Sequence, residues 1–232
     1  MKVFITGVSS GIGLALAEEY IAKGHEVFGI SRRPCPVKSV TWQSCDLAKL
    51  DSIESSLTSL LAAPNNIDLA ILNAGILGGI QDLNDANVSQ LKEVMDINLW
   101  ANKVIIDYLC SNKTTAQIIT LSSGAAVNGN RGWSGYSLSK AALNMMTSLY
   151  SKEFLETHFC AFAPGLVDTA MQDKLCSIEE IGNFSSLSRI QSARGTEGMP
   201  SPEHLAKKLP KLFEELKSRY TSGRFIDIRK MA

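Results

Sequence analysis

Tyr136 and Lys140, in the stretch GYSLSK, stand one helical turn apart. On a helix that spacing puts both side chains on one face. A free tyrosine titrates at about 10 and is a poor acid–base group near neutrality. An ammonium a few ångströms away favours phenolate and should pull that value down. Tyr136 is thus a candidate proton donor. The second chemistry-bearing stretch opens the chain, where TGVSSGIG supplies Gly7, Gly11 and Gly13 around Ser9, Ser10 and Ile12. Glycines between an apolar run and a helical run let backbone come close to a pyrophosphate. Free N–H groups and the helix dipole there favour negative charge. The stretch reads as a phosphate cradle for a dinucleotide, with an ordinary glycine turn as the plain alternative.

The elements that must position these residues are legible in the apolar pattern. Candidate strands are Lys2 to Thr6, Glu26 to Ile30, Val40 to Gln43, Ile67 to Leu72, Gln117 to Leu121, His158 to Ala163 and Arg224 to Ile228. Helical patterns cover Gly11 to Lys23, Leu50 to Ala63, Val88 to Cys110, Tyr136 to Glu156 and Pro202 to Ser218. Strands alternating with helices predict βαβ crossovers and a doubly wound, mostly parallel seven-stranded sheet with helices on both faces, in one α/β domain. Ligands bind such sheets at the carboxyl edge of the strands, where the glycine turn falls. The polar stretch Gln172 to Met199 is too long for an ordinary connection and reads as a substrate lid or a disordered segment.

Composition narrows the partners. The chain has 232 residues with 23 basic and 23 acidic side chains, so no net field draws nucleic acid or an anionic membrane. A small-molecule ligand is the better expectation. No apolar run approaches the roughly 20 residues of a membrane span. The cysteines, Cys35, Cys45, Cys110, Cys160 and Cys176, are scattered and show no metal-ligand spacing. Their odd count, in a chain whose first residues read as a strand, predicts a reducing, cytoplasmic setting and no metal.

Further motifs fall in order along the chain: LNAG at Leu72 to Gly75, INLW with Asn98, LSSGAAVNGNRGWSGYSLSK with Ser123, Tyr136 and Lys140, and APGLVDT at Ala163 to Thr169. Together with the glycine stretch they resemble the short-chain dehydrogenase/reductase family, over essentially the whole chain. The resemblance implies that Tyr136 protonates a carbonyl oxygen as hydride arrives from a nicotinamide. Ser123 would hydrogen-bond the same oxygen, Lys140 would also hold the nicotinamide ribose, and Asn98 would order the water that returns protons from solvent. Asp46 and Leu47 would lie at the adenine edge, and Asn73, Ala74 and Gly75 along the adenosine ribose. Pro164, Gly165, Val167 and Thr169 would line the cofactor beyond the sixth strand. The structural alternatives are a half-buried tyrosine, a turn serine, a helix-kink asparagine and a solvated lysine.

The end of the second strand should select the cofactor. An acidic residue there would bind the 2′-hydroxyl of NAD, but the chain has Ser31 and Arg32, followed by Arg33. Arg32 could hold the 2′-phosphate of NADP(H) through both guanidinium edges, with Ser31 adding a hydroxyl. The family's other basic signal, before the second motif glycine, is replaced by Ser10. Within the family the chain looks most like sepiapterin and benzil reductases, which makes Asp227 a candidate substrate anchor or a salt-bridge partner of Arg224 or Arg229. Trp133, Leu166, Met171 and Gln172 are candidate pocket walls. The expectation is an NADPH-dependent reductase of a small ketone or 1,2-dicarbonyl, working as a homodimer or homotetramer. Reduction of β-ketoacyl, steroid or sugar carbonyls, or a non-catalytic NADP-sensing or scaffold role, are the alternatives.

Overall fold

Short apolar runs rich in Val, Ile and Phe become seven parallel strands: β1 (Lys2–Thr6), β2 (Glu26–Ser31), β3 (Thr41–Ser44), β5 (Leu69–Leu72), β7 (Gln117–Leu121), β8 (His158–Ala163) and β9 (Arg224–Asp227). A computed structural model describes residues 1–179, 182 and 184–231. The sheet order is β3-β2-β1-β5-β7-β8-β9. Parallel neighbours cannot be joined by tight turns, so helices carry the crossovers. These are α1 (Gly11–Ala22), α2 (Ile53–Leu60), α3 (Val88–Met95), α4 (Ala101–Asn112), α5 (Ala125–Asn128), α6 (Ser134–Glu153), α7 (Ala170–Cys176), α8 (Ser185–Ala193), α9 (Pro202–Ala206) and α10 (Leu209–Arg219). A separate pair, β4 (Asn66–Ile67) with β6 (Thr114–Thr115), closes the end opposite the site loops.

Alternation along the strands sorts the core into two layers. Val3, Ile5, Leu69, Ile71, Ile119 and Leu121 join α1, α9 and α10 through Leu16, Tyr20, Leu205 and Phe213. Phe4, Ala70, Leu72 and Ile118 point the other way, to Leu57 of α2, Ile105 and Ile106 of α4, and Tyr150 of α6. A sheet buried on both faces requires apolar residues at successive positions, which is why its strands read as unbroken hydrophobic runs. No helix among the described residues is long and apolar enough to cross a membrane.

The structure departs from the sequence reading at four places. The expected strand Ile67 to Leu72 is broken at Asp68, whose carboxylate accepts from the Lys2 amide at 2.6 Å and turns the chain from the small sheet into the large one. The expected helix Val88 to Cys110 is interrupted by a π-turn at Asp96–Trp100. Pro202 to Ser218 divides into α9 and α10, with Pro210 in the first turn of the second, where a missing N–H costs no helical bond. Last, of the two readings of the polar stretch after Met171, a lid or a disordered segment, its described residues do not fit disorder. The stretch carries most of α7 and all of α8, whose Leu175, Leu187 and Ile190 pack with Met199, beyond α8, against Leu77 and Trp133 in a third, smaller core.

Candidate active site

The carboxyl ends of β1, β2, β5, β7 and β8 open onto one cleft of about 810 Å³. The glycine turn forms its phosphate-facing wall. Gly7 has φ +81° and Gly11 φ +57°, which L side chains rarely adopt, and a Cβ on Gly7 would lie 2.9 Å from Asn73 Nδ2. Gly13 is absent from the wall, because its Cα faces the Gly7 carbonyl and a Cβ would lie 2.5 Å from Asn73 Nδ2. It is a packing glycine that lets α1 close onto β1. Ser10, the N-cap of α1, is extended and makes no side-chain capping bond, and the first turn holds no acidic residue. The first amides of α1 therefore stay available, and the site fits a dinucleotide pyrophosphate.

Asn73 and Ala74 are fixed by β1: Asn73 Nδ2 donates to the Thr6 carbonyl at 2.9 Å, and the Ala74 amide to Thr6 Oγ1 at 2.9 Å. They line the cleft with Gly75, Asp46 and Leu47. At the end of β2 the Ser31 hydroxyl donates to the Arg33 carbonyl at 2.7 Å and accepts from Trp42 Nε1 at 2.8 Å. Its only proton is spent on the turn, so it has none to give a phosphate. Arg32 and Arg33 are both exposed on the cleft wall, and Arg33 Nη2 lies 3.4 Å from Ser10 Oγ, over the glycine turn. Arg33 thus joins Arg32 as a candidate phosphate reader.

At the other end, Ser123 follows β7, and Tyr136 and Lys140 project from α6 onto the same wall. Ser123 Oγ accepts from the Ala125 amide at 3.1 Å and lines the cleft with Tyr136. Lys140 Nζ donates to the Leu121 carbonyl at 2.6 Å and lies 5.7 Å from the Tyr136 ring centroid. The expected fall in the Tyr136 pKa is not what this environment gives: burial raises it, and the Ser123 side chain offsets the rise in part. Burial also pulls Lys140 down to about 8. Desolvation is the largest influence on both groups.

Asn98 sits in the π-turn, off the cleft wall. Its Oδ1 accepts from the Ile76 amide at 2.8 Å, and its Nδ2 donates to the Ile76 carbonyl at 2.8 Å and Ser139 Oγ at 3.0 Å. Both amide protons are spent on protein. The Asn98 carbonyl accepts from Asn102 Nδ2 at 2.7 Å, and Asn98 Oδ1 and Lys140 Nζ approach the same face of Gly75. The side chain thus pins the strand-end loop to the helix that carries Lys140.

Pro164, Gly165, Val167 and Thr169 line the cleft after β8, and Trp133, Leu166, Met171 and Gln172 form its apolar end with Leu77, Leu175 and Ile190. The last two were hidden in the stretch read as polar. Asp227 is buried off the cleft: Arg229 Nε donates to its Oδ1 at 2.9 Å and Nη2 to its Oδ2 at 2.6 Å. That bidentate pair holds the Asp227 carboxyl below its usual range, and the salt-bridge alternative describes its contacts. No cluster of potential metal ligands occurs among the described residues.

A three-layer doubly wound sheet with a glycine-lined cleft and a Ser-Tyr-Lys group defines a nucleotide-binding oxidoreductase. A family model for short chain dehydrogenase matches residues 1–179, and the chain belongs to that family, whose cofactors are nicotinamide dinucleotides. The chain is 31% identical over 241 residues to a benzil reductase ((S)-benzoin forming) of Bacillus subtilis, with 97% of each covered. It is also 31% identical to a 3-oxoacyl-[acyl-carrier-protein] reductase of Rickettsia prowazekii over 184 residues, 74% of each. Among solved structures, a Saccharomyces cerevisiae short chain dehydrogenase/reductase superposes with a TM-score of 0.86 at 22% identity, covering 97% of this chain and 95% of that one.

Proposed function

We propose that the protein is an NADPH-dependent carbonyl reductase that acts on a small ketone or 1,2-dicarbonyl, with Tyr136 as the proton donor. The observation that carries this reading is the shared cleft. One end presents Ser123, Tyr136 and Lys140 beside an apolar pocket, and the other presents two arginines with no carboxylate at the end of β2. The glycine turn and the first amides of α1 would hold the pyrophosphate, Arg32 and Arg33 the 2′-phosphate, and Lys140 the nicotinamide ribose. When bound, the cofactor supplies the hydride. Ser123 orients the substrate oxygen, and Tyr136, whose raised pKa keeps it protonated at neutral pH, gives that oxygen its proton. Trp133, Leu166 and Met171 exclude water from the reacting carbon. A cytoplasmic setting agrees with five free cysteines.

The benzil reductase match, at 31% identity with 97% of each chain covered, supports a dicarbonyl, and the 3-oxoacyl-[acyl-carrier-protein] reductase matches keep a β-ketoacyl thioester as the second reading. A purely nucleotide-sensing protein has no use for all three of Ser123, Tyr136 and Lys140. A panel of benzil, sepiapterin and a β-ketoacyl thioester, followed by NADPH absorbance, tests the reading. The dicarbonyl or pterin ketone should be consumed fastest. Sole turnover of the thioester would move the activity to the fatty-acyl class, and no turnover of any carbonyl would favour the sensing role.

A further inference from the structure

Arg229 touches both loops that carry the reacting end of the cleft, although it lies off the cleft wall itself. Its partner Asp227 ends β9, pairs in register with Ala163 at the end of β8, and is 5% exposed. Asp227 accepts from the Arg229 amide at 3.0 Å as well as from Nε and Nη2, so one carboxylate holds the arginine at its backbone and at its guanidinium. From that anchor the stem crosses Gly165, where a Cβ would lie 3.8 Å from Cγ and Cδ of Arg229. The guanidinium reaches Gly124, where a Cβ would lie 2.6 Å from Nη2. Gly124 has φ −57°, which any residue adopts, so it is the space and not the backbone that requires glycine there. Gly124 is also the middle residue of the turn in which the Ala125 amide donates to Ser123 Oγ at 3.1 Å. The helix that follows, α5, buries none of its four residues, so a core contributes little to holding that turn. The side-chain atoms nearest the open face of Gly124 belong to Arg229 and to Asn128 of α5 itself. Arg229 is thus the support that comes from outside.

Resting on the carbonyl-reductase reading, we propose that Arg229 is a positioning residue for Ser123: its guanidinium, anchored on Asp227, bears on Gly124 and holds the turn that aims the Ser123 hydroxyl at the substrate oxygen. A donor aimed at a developing oxyanion works only when it is fixed in place beforehand, and a displacement of about 1 Å can cost a hundredfold in rate. Asp227 and Arg229 touch neither substrate nor cofactor in this account. They act through the Ser123 turn, and the ion pair does there what buried apolar side chains do for the longer helices.

Arg229→Met alone leaves a buried carboxylate without its partner and endangers the fold, so the test uses Asp227→Asn combined with Arg229→Met, which removes both charges and keeps the shapes. In that double variant kcat for the best ketone of the panel should fall by about tenfold or more, while KM and NADPH affinity stay within about twofold. Arg229→Lys, which keeps the charge, should recover part of the loss. Introduced into Ser123→Ala, the double change should cost at most about a further twofold, because the hydroxyl it serves is already gone. A merely structural pair would lower the melting temperature and leave kcat of the folded protein intact, and that result would overturn the proposal. So would a full loss of rate in the Ser123→Ala background. Amide exchange of Ala125, followed by NMR, reads the turn without turnover and should quicken severalfold in the double variant. Unchanged exchange there would also overturn the proposal. A wild type that reduces no ketone, with Ala125 exchange quickened by the double change, would sink the reductase reading and leave the hold of Arg229 on the turn standing.

Discussion

At the scale of single residues, the account rests on charges that burial and the cofactor share. Lys140 is 4% exposed and titrates at about 8, below its ordinary 10.5. Between those values the unfolded chain binds more protons than the folded one, so stability should rise as pH increases from about 8 to about 10.5. Lys140→Met removes the buried charge. The variant should be inactive yet melt about 2–4 °C higher at pH 7, with the advantage shrinking as pH passes 8. An equal or lower Tm at pH 7, by calorimetry of the cofactor-free protein, would contradict this. Arg32→Asp should weaken NADPH and help NADH, since a carboxylate repels the 2′-phosphate and accepts from a free 2′-hydroxyl. Unchanged cofactor preference in steady-state kinetics would transfer the role to Arg33, whose guanidinium leans over Ser10. The sequence could suggest Arg32 from its place after a strand. It offered Arg224 and Arg229 alike as salt-bridge partners of Asp227 and could not choose between them, nor reveal that the Ser31 hydroxyl is taken by Arg33 and Trp42, because side-chain contacts are not written in spacing.

At the scale of elements, the strands and the site loops were legible because a sheet buried on both faces imposes continuous apolar runs that end in glycine or polar turns. The breaks were not. A π-turn at Asp96–Trp100 leaves the helical periodicity almost intact, and Asn98 gives no local sign that its amide will hold Ile76. The helices in the stretch after Met171 were not legible because α8 shows one narrow apolar stripe, Leu187 and Ile190, in a polar sequence. That stripe seals the cleft, helped by the Trp133–Ser186 hydrogen bond and by Arg194 pairing with Asp168 and Asp173. A flap held by one small core and a few polar contacts opens at lower free energy than the sheet, which suits a substrate lid. Hydrogen exchange should show α7 and α8 exchanging faster than β7 without ligand and gaining protection with NADPH and a substrate analogue. Unchanged exchange in both helices would make the flap a fixed wall.

At the scale of the whole molecule, α6 holds more apolar surface than its own core uses. Leu143 is buried and Met146 partly buried against the sheet side, so those two are unavailable to a partner. Leu138, Met145 and Leu149 instead face outward along one stripe, with Met145 63% exposed, and Trp100, at the end of the π-turn before α4, is also exposed. Large exposed apolar side chains grouped on one helix mark an interaction surface, and a second copy of the chain would bury the stripe against itself. Light scattering at micromolar concentration should give a dimer or tetramer, and Met145→Lys with Leu149→Glu should shift it to the 25.2 kDa monomer. A wild-type monomer would remove the interface.

The claim on which everything else depends is that one tyrosine protonates a carbonyl oxygen while NADPH is consumed, and a comparison of wild type with Tyr136→Phe tests it most directly. The substitution removes a single hydroxyl from a partly buried ring. NADPH binding, read by fluorescence, should persist, while kcat for the best ketone of the panel should fall on the order of a hundredfold or more. If Tyr136→Phe binds NADPH and keeps more than about a tenth of wild-type kcat, the proton comes from another group and the account fails at its centre.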